Sequence, residues 1–238
     1  MKPRDDRPVP SLAFASVTPG SYLVAMASAI LEPGYNRGRS PANKGKTYPA
    51  EVLTQDEVRA LLAQCSATSS YGLRHRALIA LLYRTGLRLG EALALEQKDV
   101  DLAAGSVTVL HGKGDRRRTV GIDPGALRVV ATWIERRRLL GLPDKDRLFC
   151  TLQGGAMTPS LVRTMLPRLA KRAGIAKRVH PHGLRHTHAY ELMMEGVPMA
   201  IIQRQLGHVS LATTNTYLAH IAPKDVIEAI GKREWSPA

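Results

Sequence analysis

The segment Gly105–Asp123, GSVTVLHGKGDRRRTVGID, is where the chain changes its period. On both sides of it apolar residues recur every three to four positions. Inside it they alternate, in two short runs, Ser106–Leu110 and Arg118–Ile122, joined across a Gly-Lys-Gly turn. Alternation with valine at every second place predicts half-buried strands, and the glycine-flanked connection predicts that they pair as an antiparallel hairpin. A single hairpin set among helical segments predicts an α+β fold, mainly α-helical, with one small antiparallel sheet.

Outward from the hairpin the helical period dominates. LTQDEVRALLAQC (53–65) has Thr54 and Glu57 at capping-box spacing ahead of Val58, Leu61 and Leu62. LRHRALIALLYRTG (73–86) reads as a second helix closed by Gly86, and RLGEALALE (88–96) as a third. Beyond the hairpin, helices are expected near 125–140, 158–173, 182–195, 198–206, 210–219 and 223–231. Residues 1–46 are different in kind. They end in a proline-, glycine- and lysine-rich run, EPGYNRGRSPANKGKTYP (32–49), that reads as a linker and places a domain boundary there, with residues 47–238 as the main domain.

The chain of 238 residues carries 34 Lys and Arg against 20 Asp and Glu, a formal charge of +14, of which +4 falls in residues 1–50 and +10 in residues 51–238. Such an excess points to a polyanionic partner, with nucleic acid ahead of an anionic membrane surface. No run of eighteen apolar residues exists to span a bilayer. The basic start followed by YLVAMASAIL (22–31) imitates a secretory signal only loosely, because Asp5 and Asp6 break the basic part and Pro19-Gly20 the apolar part. Two cysteines without a CxxC, Cys65 and Cys150, argue against a disulfide framework or a cysteine zinc site and for a reducing compartment.

Five places hold polar residues that packing does not require. In TGLRLGEALAL (85–95), Arg88 follows a helix break among leucines, with Glu91 one turn on, either as an oriented anion-binding arginine or as a surface ion pair. In HGKGDRRRT (111–119), Lys113 sits at a glycine-flanked tip where the backbone can approach another surface closely; a solvated hairpin is the alternative, and the chain has no GxxxxGK[ST] loop for a nucleotide. In HPHGLRHTHAYEL (180–192), His182 and Arg185 share a helix face suited to gripping one phosphate. His182 and His186 have the i,i+4 spacing of a metal pair, but no HExxH glutamate accompanies them and an arginine in the same turn would repel a dication. Finally, His208 follows a glycine, and Tyr217 stands nine residues later among small polar residues, where a core tyrosine is the plain alternative.

These motifs, in this order, closely resemble the tyrosine recombinases, the phage integrase and Xer-like family of site-specific DNA recombinases, over about residues 48 to 225. The resemblance implies the catalytic-domain fold of that family and an enzyme that cuts and rejoins DNA through a 3′-phosphotyrosyl intermediate, without metal, nucleotide or other cofactor. It makes Tyr217 the nucleophile, Arg88 and Arg185 the clamp on the non-bridging oxygens, Lys113 the general acid, His182 the base or hydrogen-bond partner, and His208 a phosphate ligand. It implies double-stranded DNA as partner, a homotetramer on DNA, and a cytoplasmic, nucleoid-associated protein. A type IB topoisomerase-like activity, or a non-catalytic DNA-binding remnant, are the alternatives. IAPKDVIEAIGKREW (221–235) resembles the helix that each family subunit docks into its neighbour. The 46 residues before the catalytic domain are fewer than the family's helical core-binding domain, of which SYLVAMASAILEPGYNRGRSPANKG (21–45) resembles the last helix and linker. A shortened member is therefore expected, monomeric when free and of low sequence specificity.

Overall fold

The computed structural model describes residues 51–110 and 117–207, all within the second of the two units into which the chain divides, Pro49–Ala238. The N-terminal arm, the Lys113 turn, His208, Tyr217 and the helices expected near 210–219 and 223–231 lie outside the described residues.

Helix α1 (Gln55–Ala63) opens on the expected capping box: the Thr54 hydroxyl accepts from the Glu57 N–H at 3.1 Å, and the Glu57 carboxylate accepts from the Thr54 N–H at 2.7 Å. Helix α2 (Ser70–Thr85) starts three residues earlier than its apolar pattern, because Ser69 caps the Gly72 N–H at 3.1 Å. Eleven of its sixteen residues are buried, which makes it the axis of the domain. It packs against α4 (Pro124–Leu139) and α6 (Pro181–Met194). Between α2 and α4 the chain forms a short helix α3 (Leu89–Ala94), a 3₁₀ turn at Gln97–Asp99, and the sheet. The core runs through Leu78, Leu81, Leu82, Trp133, Phe149 and Leu166, all fully buried.

The sheet has three antiparallel strands in the order β1 (Val100–Asp101), β2 (Ser106–Val109), β3 (Arg118–Gly121), with Val107 opposite Val120 and Val100 opposite Val107. Its third strand is a correction to the two-stranded expectation. Two residues carry no period, so β1 is invisible to alternation; its turn is built by Asp101, whose carboxylate accepts from the Ala103 and Ala104 N–H groups at 3.0 and 2.8 Å. Val107, Val109 and Val120 face the core.

Helix α5 (Pro159–Arg172) buries Val162, Met165, Leu166 and Leu169 and turns Arg163, Arg168, Lys171 and Arg172 outward. Helix α7 (Met199–Leu206) packs on α6 and on β3. Its Gln205 carboxamide behaves like one more strand residue, accepting from the Gly121 N–H at 3.0 Å and donating to the Gly121 carbonyl at 2.8 Å, so it covers the open edge of β3. No helix among the described residues is long and apolar enough to cross a membrane.

Candidate active site

Two helices end on glycines in the left-handed region, α2 at Gly86 (φ 65°) and α7 at Gly207 (φ 66°). The last carbonyls of both ends carry the negative end of the helix dipole, and one guanidinium lies across them. Arg185, on α6 and only 1% exposed, donates to the Gly86 carbonyl and, at 2.7 Å, to the Leu206 carbonyl. The two capping glycines immediately precede site segments: Arg88 stands two residues after Gly86, and His208 follows Gly207 directly. Arg185 therefore ties the ends of α2 and α7, far apart in sequence, to one point on α6.

Arg88 occupies the N-cap of α3 and turns back on that helix. Its backbone N–H and its Nη1 both donate to the Glu91 carboxylate, each at 2.9 Å. Glu91 is 7% exposed and is shared. Arg118, on β3, grips the same carboxylate with both terminal nitrogens, at 3.0 and 2.7 Å. Burial pushes the Glu91 carboxyl up, yet the Arg118 and Arg88 hydrogen bonds and charges outweigh it, and the group is held below the usual carboxylate range. The Arg88–Glu91 pair expected from spacing is present, but as half of a three-membered system.

His182 lies in the first turn of α6, after Pro181 at the helix start. Burial, then the nearby Arg185, His180 and Arg88, lower its pKa below the ordinary histidine value, which favours the neutral imidazole. His180 is the N-cap: its Nδ1 accepts from the Gly183 N–H at 2.9 Å, which places its proton on Nε2. His186 meets His182 edge to face, ring centroids 4.3 Å apart. Among the described residues no cluster of three or more His, Cys, Asp or Glu side chains is gathered for a metal ion.

Arg88, His182 and Arg185 open into one cleft of ≈ 340 Å³. Arg163 of α5, Arg178 and His180 complete its polar lining, and no carboxylate lines it among the described residues. The structure thus brings together three of the six residues singled out in the sequence; the other three, Lys113, His208 and Tyr217, belong to segments outside the described residues. Arg163, Arg178, Arg118 and Gln205 are site residues that the sequence motifs do not single out. Only Arg178, two residues before the histidine-rich motif, had a positional signal. Gln205 also donates to the Thr85 carbonyl at 3.3 Å, tying α7 to the end of α2 beneath the site.

A second network bolts α6 to α2 below the cleft. The Tyr83 hydroxyl donates to Glu191 at 2.5 Å, and Arg84 bridges Glu191 and Asp123, each at 2.8 Å. Burial raises the Glu191 carboxyl despite both partners, and burial with the Glu191 bond raises the Tyr83 phenol.

The cleft and the fold around it have counterparts among known proteins. The phage integrase family model matches residues 51–223. Tyrosine recombinase XerC of Staphylococcus aureus is 33% identical over 174 residues, 73% of this chain and 58% of the relative, so the chain spans a little over half the length of the curated relatives it matches. Of solved structures, XerA recombinase aligns with a TM-score of 0.69 at 30% identity, over 91% of this chain and 77% of that one. XerH site-specific recombinase, bound to palindromic difH substrate in a post-cleavage complex, aligns with a TM-score of 0.64 at 29% identity, over 78% and 54%. With the family match spanning both arginine motifs and the cleft they build, the chain belongs to the phage integrase family of tyrosine recombinases.

Proposed function

We propose that this chain carries the catalytic centre of a site-specific recombinase acting on double-stranded DNA. The observation that carries this reading is the cleft: Arg88, Arg163, Arg178 and Arg185 with His180 and His182, and no carboxylate in the lining among the described residues, form a site that attracts a phosphodiester. The relative solved with its DNA substrate supports the same partner.

In the proposed reaction the Tyr217 hydroxyl oxygen attacks phosphorus while His182, neutral at pH 7, receives its proton. Charge grows on the non-bridging oxygens in the pentacoordinate transition state and is met by Arg88 and Arg185. Arg185 suits that task because its plane is fixed by two helix-end carbonyls, so no ordering cost remains when the phosphate arrives. His208 donates a hydrogen bond to the same phosphate. Lys113 gives a proton to the departing 5′-oxygen. The products are a 3′-phosphotyrosyl bond and a free 5′-hydroxyl, and attack by another 5′-hydroxyl reverses the step without ATP. Pairing of subunits on DNA, as a tetramer in which residues 221–235 reach a neighbour, belongs to the same proposal, as does residues 47–238 acting as the catalytic domain.

The test is a nicked suicide duplex of a candidate recombination site incubated with the chain in excess EDTA. A covalent protein–DNA adduct resistant to denaturant is expected, lost in Arg88→Ala and Arg185→Ala. Adduct formation unaffected by both substitutions would show that the cleft is not the reaction centre.

A further inference from the structure

Arg118 lies outside the cleft, yet it is wired to it. Its side chain is 15% exposed, and its guanidinium meets both oxygens of Glu91, whose side chain is itself 6% exposed and bonded to Arg88. Were Glu91 paired with Arg88 alone, the anion would cancel that arginine's charge in a partly desolvated place, and a phosphate would meet a neutral pair. With Arg118 present, three charged groups sum to +1, and Arg88 keeps its electropositive side toward the cleft. Arg118 also lies against the backbone of the residue before His208: a Cβ added at Gly207 would stand 2.6 Å from Arg118 Nε and 2.8 Å from Cζ. The strand that leads out of the Lys113 turn is thereby packed onto the helix end that leads into His208.

We propose that Arg118 is a positioning residue whose positive charge offsets Glu91 and so keeps Arg88 available to the scissile phosphate. This rests on the recombinase reading of the cleft. Glu91 orients Arg88, and Arg118 prevents Glu91 from neutralising it.

The experiment is single-turnover cleavage of the suicide duplex, with DNA affinity measured separately, for Arg118→Met, Arg118→Lys, Glu91→Gln/Arg118→Met and the unaltered chain. Arg118→Met is expected to slow cleavage about 10²-fold with DNA affinity changed less than about threefold, because one phosphate contact in the transition state loses its charge. Arg118→Lys, which keeps the charge without the bidentate fork, is expected to stay within about tenfold of the unaltered chain. Glu91→Gln/Arg118→Met removes the anion together with its balancing cation and is expected to cleave at least about tenfold faster than Arg118→Met alone. A bridging 5′-phosphorothiolate, whose sulfur leaves without a proton, is expected not to rescue Arg118→Met, since the defect lies at Arg88 rather than at the Lys113 turn on the same hairpin.

A double variant no faster than the single one, a lysine variant as slow as the methionine variant, or phosphorothiolate rescue would each overturn the proposal. Should Arg118→Met fail to fold by circular dichroism, the lysine variant decides alone: cleavage within about tenfold of the unaltered chain supports the proposal, and cleavage slowed about 10²-fold or more overturns it. Absence of an adduct with the unaltered chain would instead sink the recombinase reading itself, so the two failures are distinguishable.

Discussion

Substituting Gly207→Ala tests how tightly the helix end before His208 is locked against β3. Gly207 has φ 66° and ψ 46°, a left-handed conformation that costs an alanine about 1 kcal/mol. Its added methyl would stand 2.6 Å from Arg118 Nε and 2.9 Å from Cδ. A surface arginine would swing away, but this one is held by two bonds to the buried Glu91 carboxylate at 3.0 and 2.7 Å, and loosening one charge-assisted bond costs about 1.5–3 kcal/mol. The expected loss is therefore about 3 kcal/mol. Gly196 provides the control: its φ is 76°, and an added Cβ there meets nothing within 4 Å, so Gly196→Ala should cost only the backbone term of about 1 kcal/mol. The assay is urea unfolding of the full chain followed by circular dichroism, comparing both alanine variants with the unaltered protein. Repeating Gly207→Ala on an Arg118→Ala background should return its cost to about that of Gly196→Ala, because the obstructing side chain is gone. Equal destabilisation by Gly207→Ala and Gly196→Ala on the unaltered background would show that Arg118 is not held against the Gly207 backbone.

Two further outcomes follow from the same geometry. Arg185→Lys keeps the charge but cannot span the Gly86 and Leu206 carbonyls together, so it should lower stability by about 2–4 kcal/mol in urea unfolding and slow adduct formation at least about 10²-fold; unfolding and cleavage both near those of the unaltered chain would contradict the keystone role. Stability should also fall on mild acidification: burial, with Arg74 beside His75 and Arg84 and Arg185 near His188, pushes both histidines down to about 4. The unfolded chain takes up those protons near pH 6.5 and the folded one only near 4, so this stability is complete above about 6.5 and is lost as pH falls toward 4, by about 3 kcal/mol for His188 alone. Urea midpoints at pH 7 and 4.5 measure it, and His188→Leu should make the change clearly smaller; a pH-independent midpoint across that window would show that these histidines are not buried in the neutral form.

Much of the fold was legible in the sequence because helices announce themselves by period and caps. Thr54 with Glu57 and Gly86 each did in the structure what their spacing predicts. Boundaries shifted where the cap lay outside the apolar pattern, as at Ser69. Strand β1 was missed because two residues have no alternation to read. In the site, Arg88, Glu91, His182 and Arg185 were legible because polar residues in otherwise apolar or glycine-broken stretches stand out. Arg118 was not, since it is the third of three consecutive arginines and nothing in that run marks it as the one that meets Glu91. Arg137 was hidden in the same way, in the run Arg136-Arg137-Arg138. It is fully buried, donating to the Leu148 and Pro143 carbonyls at 2.9 Å and so tying down the loop between α4 and α5, while Arg136 is half-buried against the Ser70 hydroxyl and Arg138 is exposed. Gln205 gave no signal because a glutamine on a helix has no pattern that marks it as the cover of a strand edge.

The proposed recombinase reaction turns on one chemical event, transfer of a DNA phosphate to Tyr217. Its most direct test is to trap the chain on a suicide duplex, digest the adduct with protease and nuclease, and locate the nucleotide-bearing residue by mass spectrometry. The expected result is a 3′-phosphotyrosyl bond on Tyr217 and no adduct at all from Tyr217→Phe, with DNA affinity retained. A phosphodiester attached to any other residue, or an undiminished adduct from the phenylalanine variant, would contradict it.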